Sequence, residues 1–191
     1  MSGPTSARAR NLRTIASLAA LYVLPLALAF YLYYGSAWRP LGHVNRGTLI
    51  DPPRPLPAVA ADQHQAFRGS WTLVAIGDGQ CDSDCARELA VMRQVHLALN
   101  RDMTRVARMY IATGHCCAGA LTAPGDAGIL VVDAASPAVA QALEQFPKAD
   151  SGHSVFVVDP LGNLMMSYDA RTDPRGLLID LRQLLRLSHI G

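Results

Sequence analysis

Hydrophobic positions fall into two regimes along the chain. Residues 15–34 (IASLAALYVLPLALAFYLYY) run for 20 residues without a charge, and from residue 71 onward short apolar runs alternate with amphipathic stretches. At 1.5 Å rise per residue, the first run is long enough for a helix to cross a ~30 Å hydrocarbon core. The second regime predicts an α/β domain. Residues 71–76 (WTLVAI), 108–113 (RMYIAT), 128–132 (GILVV), 154–158 (SVFVV) and 163–168 (NLMMSY) read as strands, the last two joined by the turn signal Asp159-Pro-Leu-Gly162. Leu89, Met92, Val95, Leu97 and Leu99 recur at helical spacing and predict a helix over residues 85–99. Ser136 and Pro137 supply an N-cap and a first-turn proline for a helix to about residue 146. Asp173-Pro174 opens a last helix with Leu177, Leu181, Leu184 and Leu185 on one stripe.

Between the two regimes, residues 35–66 carry Pro40, Pro52, Pro53, Pro55 and Pro57 and hold no lasting period. They read as a stiff, extended tether whose last part can also add an edge strand. The expected organisation is a basic leader over residues 1–14, a transmembrane helix over 15–34, the tether over 35–66 and the domain over 67–191. Arg8, Arg10 and Arg13 precede the apolar run and no acidic residue does, so the positive-inside rule keeps the N-terminus cytoplasmic and exports residues 35–191. In a bacterium this sets the chain in the inner membrane with its domain on the periplasmic face. Tyr31, Tyr33, Tyr34 and Trp38 gather at the far end, where an aromatic belt sits. A signal peptide cleaved after Ala27-Leu-Ala29 is the competing reading, and continuation of the apolar run through Tyr34 favours retention. The formal net charge is +2 and no basic stripe with interleaved aromatics follows the leader. Nucleic acid is therefore not an expected partner, and the lipid bilayer is.

Four cysteines in an exported domain form, by default, two structural disulfides. Their spacing points elsewhere. Cys81 and Cys85, in Ile76-Gly-Asp-Gly-Gln-Cys-Asp-Ser-Asp-Cys85, stand where the first strand hands over to the first helix. An i,i+4 pair inside the first helical turn has its Cβ atoms ~5–6 Å apart on one face, which suits a shared soft cation. A disulfide wants ~3.5–4.5 Å and forms only if Cys81 lies in the loop ahead of the helix. Both states are open to the sequence. Cys116 and Cys117 are adjacent, and a vicinal bridge is far from ordinary disulfide geometry, while bridges between the two pairs stay open as well. Asp78, Asp82 and Asp84 crowd the same loop, either attracting a cation or serving as solvated carboxylates at a helix start. Of the six histidines, His43, His64, His96 and His189 are expected in surface or packing roles. His153, directly ahead of the strand at 154–158, and His115, beside Cys116, are the candidate third ligands.

With Cys-x-x-x-Cys after the first core strand and a distant histidine ahead of a strand-turn-strand (His153-Ser-Val-Phe-Val-Val-Asp-Pro-Leu-Gly-Asn163), the chain resembles the Sco/SenC proteins. These are thioredoxin-like copper proteins of cytochrome c oxidase assembly. The resemblance runs from about residue 68 to residue 187 and includes Arg68-Gly-Ser-Trp71. It implies a thioredoxin-like α/β domain, a central mixed sheet flanked by helices, behind one N-terminal transmembrane helix. Copper, as Cu(I) and also Cu(II), would be bound by Cys81, Cys85 and His153, a set of two thiolates and an imidazole that suits Cu(I). Implied partners are the copper-bearing subunit of the oxidase or other assembly factors. The chain departs from the family pattern in two places, and so resembles a divergent Sco-like protein. Cys81-Asp-Ser-Asp-Cys85-Ala lacks both prolines of Cys-Pro-x-x-Cys-Pro, and Gly114-His-Cys-Cys-Ala118 stands where the family carries Asp-Pro and Arg-Asp.

Two other functions are compatible with the same residues: a membrane-tethered thiol-disulfide oxidoreductase with redox-active Cys81 and Cys85, and a non-catalytic thioredoxin-like assembly scaffold. Against the oxidoreductase, the spacing is not Cys-x-x-Cys and no proline directly precedes Ser154. Fold alone does not choose among the three.

Overall fold

The structure is a computed structural model that describes residues 5–35, 45–61, 64–114, 128–147, 154–169, 171, 173–188 and 190. It divides into two units, Met1–His43 and Val44–Gly191. In the first, α1 (Thr5–Phe30) continues through a π-helical turn, Tyr31–Gly35. The 26 residues Arg10–Gly35 are long and apolar enough to cross a membrane. Pro25 lies inside α1, a position that membrane helices tolerate better than soluble ones.

The second unit runs β1 (Thr48–Pro55), β2 (Val59–Ala61), β3 (His64–Ala66), β4 (Trp71–Gly77), α2 (Ser83–Ala98), β5 (Val106–Ala112), β6 (Ile129–Asp133), α3 (Pro137–Leu143), β7 (Ser154–Val158), β8 (Asn163–Asp169) and α4 (Pro174–Leu187). Six strands form one mixed sheet in the order β1-β8-β7-β4-β5-β6, and β2 and β3 pair as a separate hairpin. β4, β5 and β6 are parallel, whereas β7 runs antiparallel to β4. A parallel step needs a crossover, and α2 supplies it between β4 and β5. Side chains alternate across the sheet. Leu73 and Ala75 of β4 pack with Leu89, Met92, Leu177 and Leu181 from α2 and α4, and Val74 packs on the other side with Phe67, Met109, Val139 and Phe156. Burial on both faces is why β4 is a continuous apolar run rather than an alternating one.

The expected strands and helices are all present, with shifted ends. β5 begins at Val106, α2 begins two residues earlier than expected, and α3 stops at Leu143, leaving Phe146 in a turn where its ring meets Phe156 edge-on at 5.0 Å. The stretch expected as tether, with an edge strand open to its last part, contributes more to the domain than that expectation. From Thr48 it is part of the domain: β1 pairs with β8, Leu56 N–H donates to the Gly162 carbonyl at 2.8 Å, and Ile50, Leu56, Val59 and Ala66 are buried in the core on the α3 side. Pro52 and Pro53 fall within a break of register between Leu49 and Arg54 on an edge strand, where missing N–H groups are tolerated. Only Ile50 of the eight residues of β1 is buried, so no period marks this strand in the sequence.

Candidate functional site

Parallel β4 and β5 end together, with Gly77 opposite Ala112, while antiparallel β7 starts at that same rim, its Ser154 opposite Asp169 of β8. The rim is tied by Thr113, whose N–H and hydroxyl both donate to the Gly77 carbonyl, at 2.8 and 3.0 Å. Gly114 lies so close to Asp78 that a Cβ there would come within 2.6 Å of the Asp78 carbonyl oxygen. In open α/β sheets, this carboxyl end of the parallel strands is where ligands bind.

Cys81 and Cys85 sit at this rim and are joined by a disulfide, with Cα atoms 5.0 Å apart. The bridge forms because Cys81 is outside the helix. Asp82 is the N-cap, and its carboxylate accepts the N–H groups of Asp84 at 3.1 Å and Cys85 at 3.0 Å. Cys81, one residue earlier, takes φ +48, a left-handed conformation that costs a non-glycine residue about 1–2 kcal/mol. Gly79, at φ +87, makes the preceding turn without that penalty. Of the two states the sequence left open, an i,i+4 pair within the first turn or a bridge from the loop, the structure adopts the bridge. Both sulfurs belong to the core cluster, Cys81 at 9 % exposure and Cys85 at 5 %.

The three aspartates of the loop have local roles. Asp82 caps α2, Asp78 accepts the Gln80 N–H at 2.9 Å, and Asp84 pairs with Arg87 at 3.3 Å. Among the described residues, no three His, Cys, Asp or Glu side chains are grouped to hold a metal ion. The expected third ligand, His153, lies outside the described residues, as do His43, His115, Cys116, Cys117 and His189. His96 has the packing role expected of it: its Nε2 is 2.9 Å from the carbonyl oxygens of Met103 and of Val106.

Two residues at the site carry no mark in a motif. Tyr110, from β5, brings its hydroxyl to 3.8 Å from the Cys85 sulfur and accepts the Gly79 N–H at 3.2 Å. Burial pushes this hydroxyl's pKa up, and the charges of Asp78, Glu88 and Asp82 push the same way against the pull of the Gly79 hydrogen bond, so it stays protonated. Glu88 stands one helical turn beyond Cys85, 2 % exposed, and among the described residues its Oε1 has no hydrogen-bond partner. Burial, assisted by Asp169, raises its carboxyl to about 8. Near neutral pH this acid is largely uncharged. The sequence signal for Glu88 is its place in the apolar stripe of Cys85, Leu89 and Met92. Tyr110 gives no such signal within an apolar strand.

A mixed sheet with a parallel β4-α2-β5 unit, an antiparallel hairpin beside it and a cysteine pair where β4 meets α2 defines a thioredoxin-like domain. The sequence from residue 71 to residue 188 matches the family described as transmembrane-like, thioredoxin-like, C-terminal domain, and the chain belongs to that family. No curated protein matches the chain. Among solved structures it is similar to apo Sco1 from Thermus thermophilus, at 18 % identity and TM-score 0.52 over 75 % of this chain and 99 % of that one. Yeast Sco1 with copper bound is similar at 14 % identity and TM-score 0.54, over 77 % of this chain and 96 % of that one. ScoI from Bradyrhizobium japonicum with copper bound is similar at 17 % identity and TM-score 0.52, over 68 % and 98 %. At such identities these likenesses establish the fold.

Proposed function

We propose that the chain is a membrane-anchored, Sco-like protein that binds copper on its exported domain and assists assembly of the copper site of cytochrome c oxidase. The observation carrying this reading is the meeting at one rim of the Cys81–Cys85 pair with the start of β7, whose first residue, Ser154, follows His153 in the sequence. Two Sco structures similar in fold hold copper, which supports the same cargo here. Residues 15–34 serve as the anchor, with the N-terminus cytoplasmic and the domain periplasmic. Cys81 and Cys85 supply two thiolates and His153 an imidazole, few and soft donors that suit Cu(I). Bridged sulfurs are not thiolate ligands, so a reductant opens the pair before copper enters.

Cu(I) titration of the reduced full chain in detergent, with thiols counted before and after, tests this. About one Cu(I) per chain is expected, bound more weakly after Cys81→Ala, Cys85→Ala or His153→Ala. Unchanged affinity in all three variants sinks the proposal. The bridge between Cys81 and Cys85 supports a second reading, a membrane-tethered thiol-disulfide oxidoreductase. That reading takes over if the reduced chain binds no stoichiometric copper while the pair cycles reversibly near the potential of its compartment.

A further inference from the structure

We propose that Tyr110 is a positioning residue of the Cys81–Cys85 couple: its hydroxyl, held by the Gly79 N–H, donates to the Cys85 sulfur and biases the pair toward the dithiol. A bridged sulfur carries no proton, so at the 3.8 Å contact the hydroxyl is the donor. The Gly79 N–H, 3.2 Å from the same oxygen, occupies an acceptor position and leaves the O–H free to point at sulfur. Tyr110 is 1 % exposed, which keeps water from taking its place. Gly77 leaves the necessary room, since a Cβ there would overlap the hydroxyl. Three elements therefore converge on one oxygen: β5 carries it, the β4–α2 loop fixes it, and α2 presents the sulfur that accepts its hydrogen bond.

A hydrogen bond strengthens with the negative charge on its acceptor, so the contact is worth more to the reduced sulfur than to the bridged one. Reduction by an external dithiol then proceeds as follows. A thiolate of the reductant bonds to the sulfur of Cys81, the more exposed residue of the two. The Cys81–Cys85 bond breaks, and Cys85 leaves with the electron pair toward the Tyr110 hydroxyl. The reductant's second thiol displaces Cys81 and the reductant departs as a disulfide; of its two protons one ends on Cys81 and the other goes to solvent, leaving Cys85 a thiolate under the Tyr110 hydroxyl. This extends the proposed function only in taking the pair to cycle between bridge and dithiol.

The test equilibrates the full chain, in detergent at one pH, with set ratios of reduced and oxidised dithiothreitol. Alkylation then traps free thiols, and mass spectrometry of the peptide containing Cys81 and Cys85 reads this pair alone. Tyr110→Phe removes one oxygen and is expected to lower the dithiol-to-disulfide equilibrium constant about tenfold, or about 30 mV. A constant within twofold of the wild type overturns the proposal, as does a wild-type pair that no ratio reduces. If Tyr110→Phe loses the wild-type melting transition, Gly77→Ala is read the same way, because it retains the tyrosine and displaces its hydroxyl. No metal enters this equilibrium, so a failed copper titration overturns the proposed function without touching this result.

Discussion

Asp180, buried on α4, accepts the backbone N–H of Arg46 at 2.6 Å, joining residues 134 apart in sequence. The same carboxylate accepts the Gly47 N–H at 3.1 Å and the Tyr168 hydroxyl. Gly47 is required there, because a Cβ would overlap the Tyr168 ring. The latch fixes the chain two residues before β1. Burial, then the Asp180 hydrogen bond, pushes the Tyr168 hydroxyl well above the ordinary tyrosine range, so it remains a donor. Asp180→Ala leaves two N–H groups and a hydroxyl without their acceptor and is expected to cost about 3 kcal/mol in urea unfolding. Tyr168→Phe should cost about 1–2 kcal/mol. A chain shortened to begin at Asp51, lacking both N–H donors and the start of β1, should melt lower than one beginning at Val44. Equal melting of the two would show that the latch contributes nothing.

Glu88 gives the domain a pH dependence of opposite sign to that of an ion-paired carboxylate. Its carboxyl rises from 4.5 to about 8 in the folded chain, chiefly through burial. Below pH 4.5 both folded and unfolded chains hold the proton, and the ionisation penalty is absent. Between 4.5 and about 8 only the unfolded chain releases it, so this contribution to stability is lost as pH rises through that window. Glu88→Gln removes the titration. Unfolding free energies of wild type and Glu88→Gln, measured from pH 4.5 to pH 8, should diverge in favour of the variant by a few kcal/mol toward the alkaline end. Parallel curves would mean that Glu88 ionises as an exposed glutamate does.

The core strands are legible in the sequence because β4, β5 and β7 are covered on both faces and must be apolar nearly throughout. β1 is illegible for the converse reason, an edge strand with one buried residue and a proline pair absorbed by a register break. Of the site, the cysteine positions follow from where an apolar run gives way to a helical stripe. Their oxidation state does not, because it depends on Asp82 rather than Cys81 capping the helix, a difference of one residue that no periodicity resolves. Tyr110 is hidden for a related reason. Its ring belongs to the core like any neighbour in β5, and only the close approach of the Gly77–Gly79 loop turns its hydroxyl into part of the site.

His96 and His153 provide an internal control for copper binding. His96 spans the end of α2 and the start of β5 through the Met103 and Val106 carbonyls, at the end of β5 remote from Ala112 and the cysteine rim. His96→Ala is expected to lower stability by about 1 kcal/mol and to leave Cu(I) affinity unchanged. His153→Ala should lower Cu(I) affinity and leave the melting temperature of the metal-free chain nearly unchanged. The two variants, compared by thermal melting and competitive Cu(I) titration, separate the proposed ligand from a packing histidine. Loss of copper affinity in His96→Ala would relocate the metal away from the cysteine rim.

Opening the bridge should cost little stability. Cys81 and Cys85 are four positions apart, and a loop that short restricts the unfolded chain by about 2 kcal/mol. Part of this is returned, because a reduced Cys81 is free to leave its left-handed conformation, worth about 1–2 kcal/mol. The net change on adding dithiothreitol should therefore lie at or below about 2 kcal/mol in urea unfolding. A pair that opens this cheaply is suited to exchange with a metal, whereas a structural staple is not. Cys81→Ser isolates the effect, since dithiothreitol should then change nothing further. If the reductant still destabilises Cys81→Ser, another bridge is being broken, and Cys116 and Cys117 are the cysteines left to form one with Cys85 or with each other.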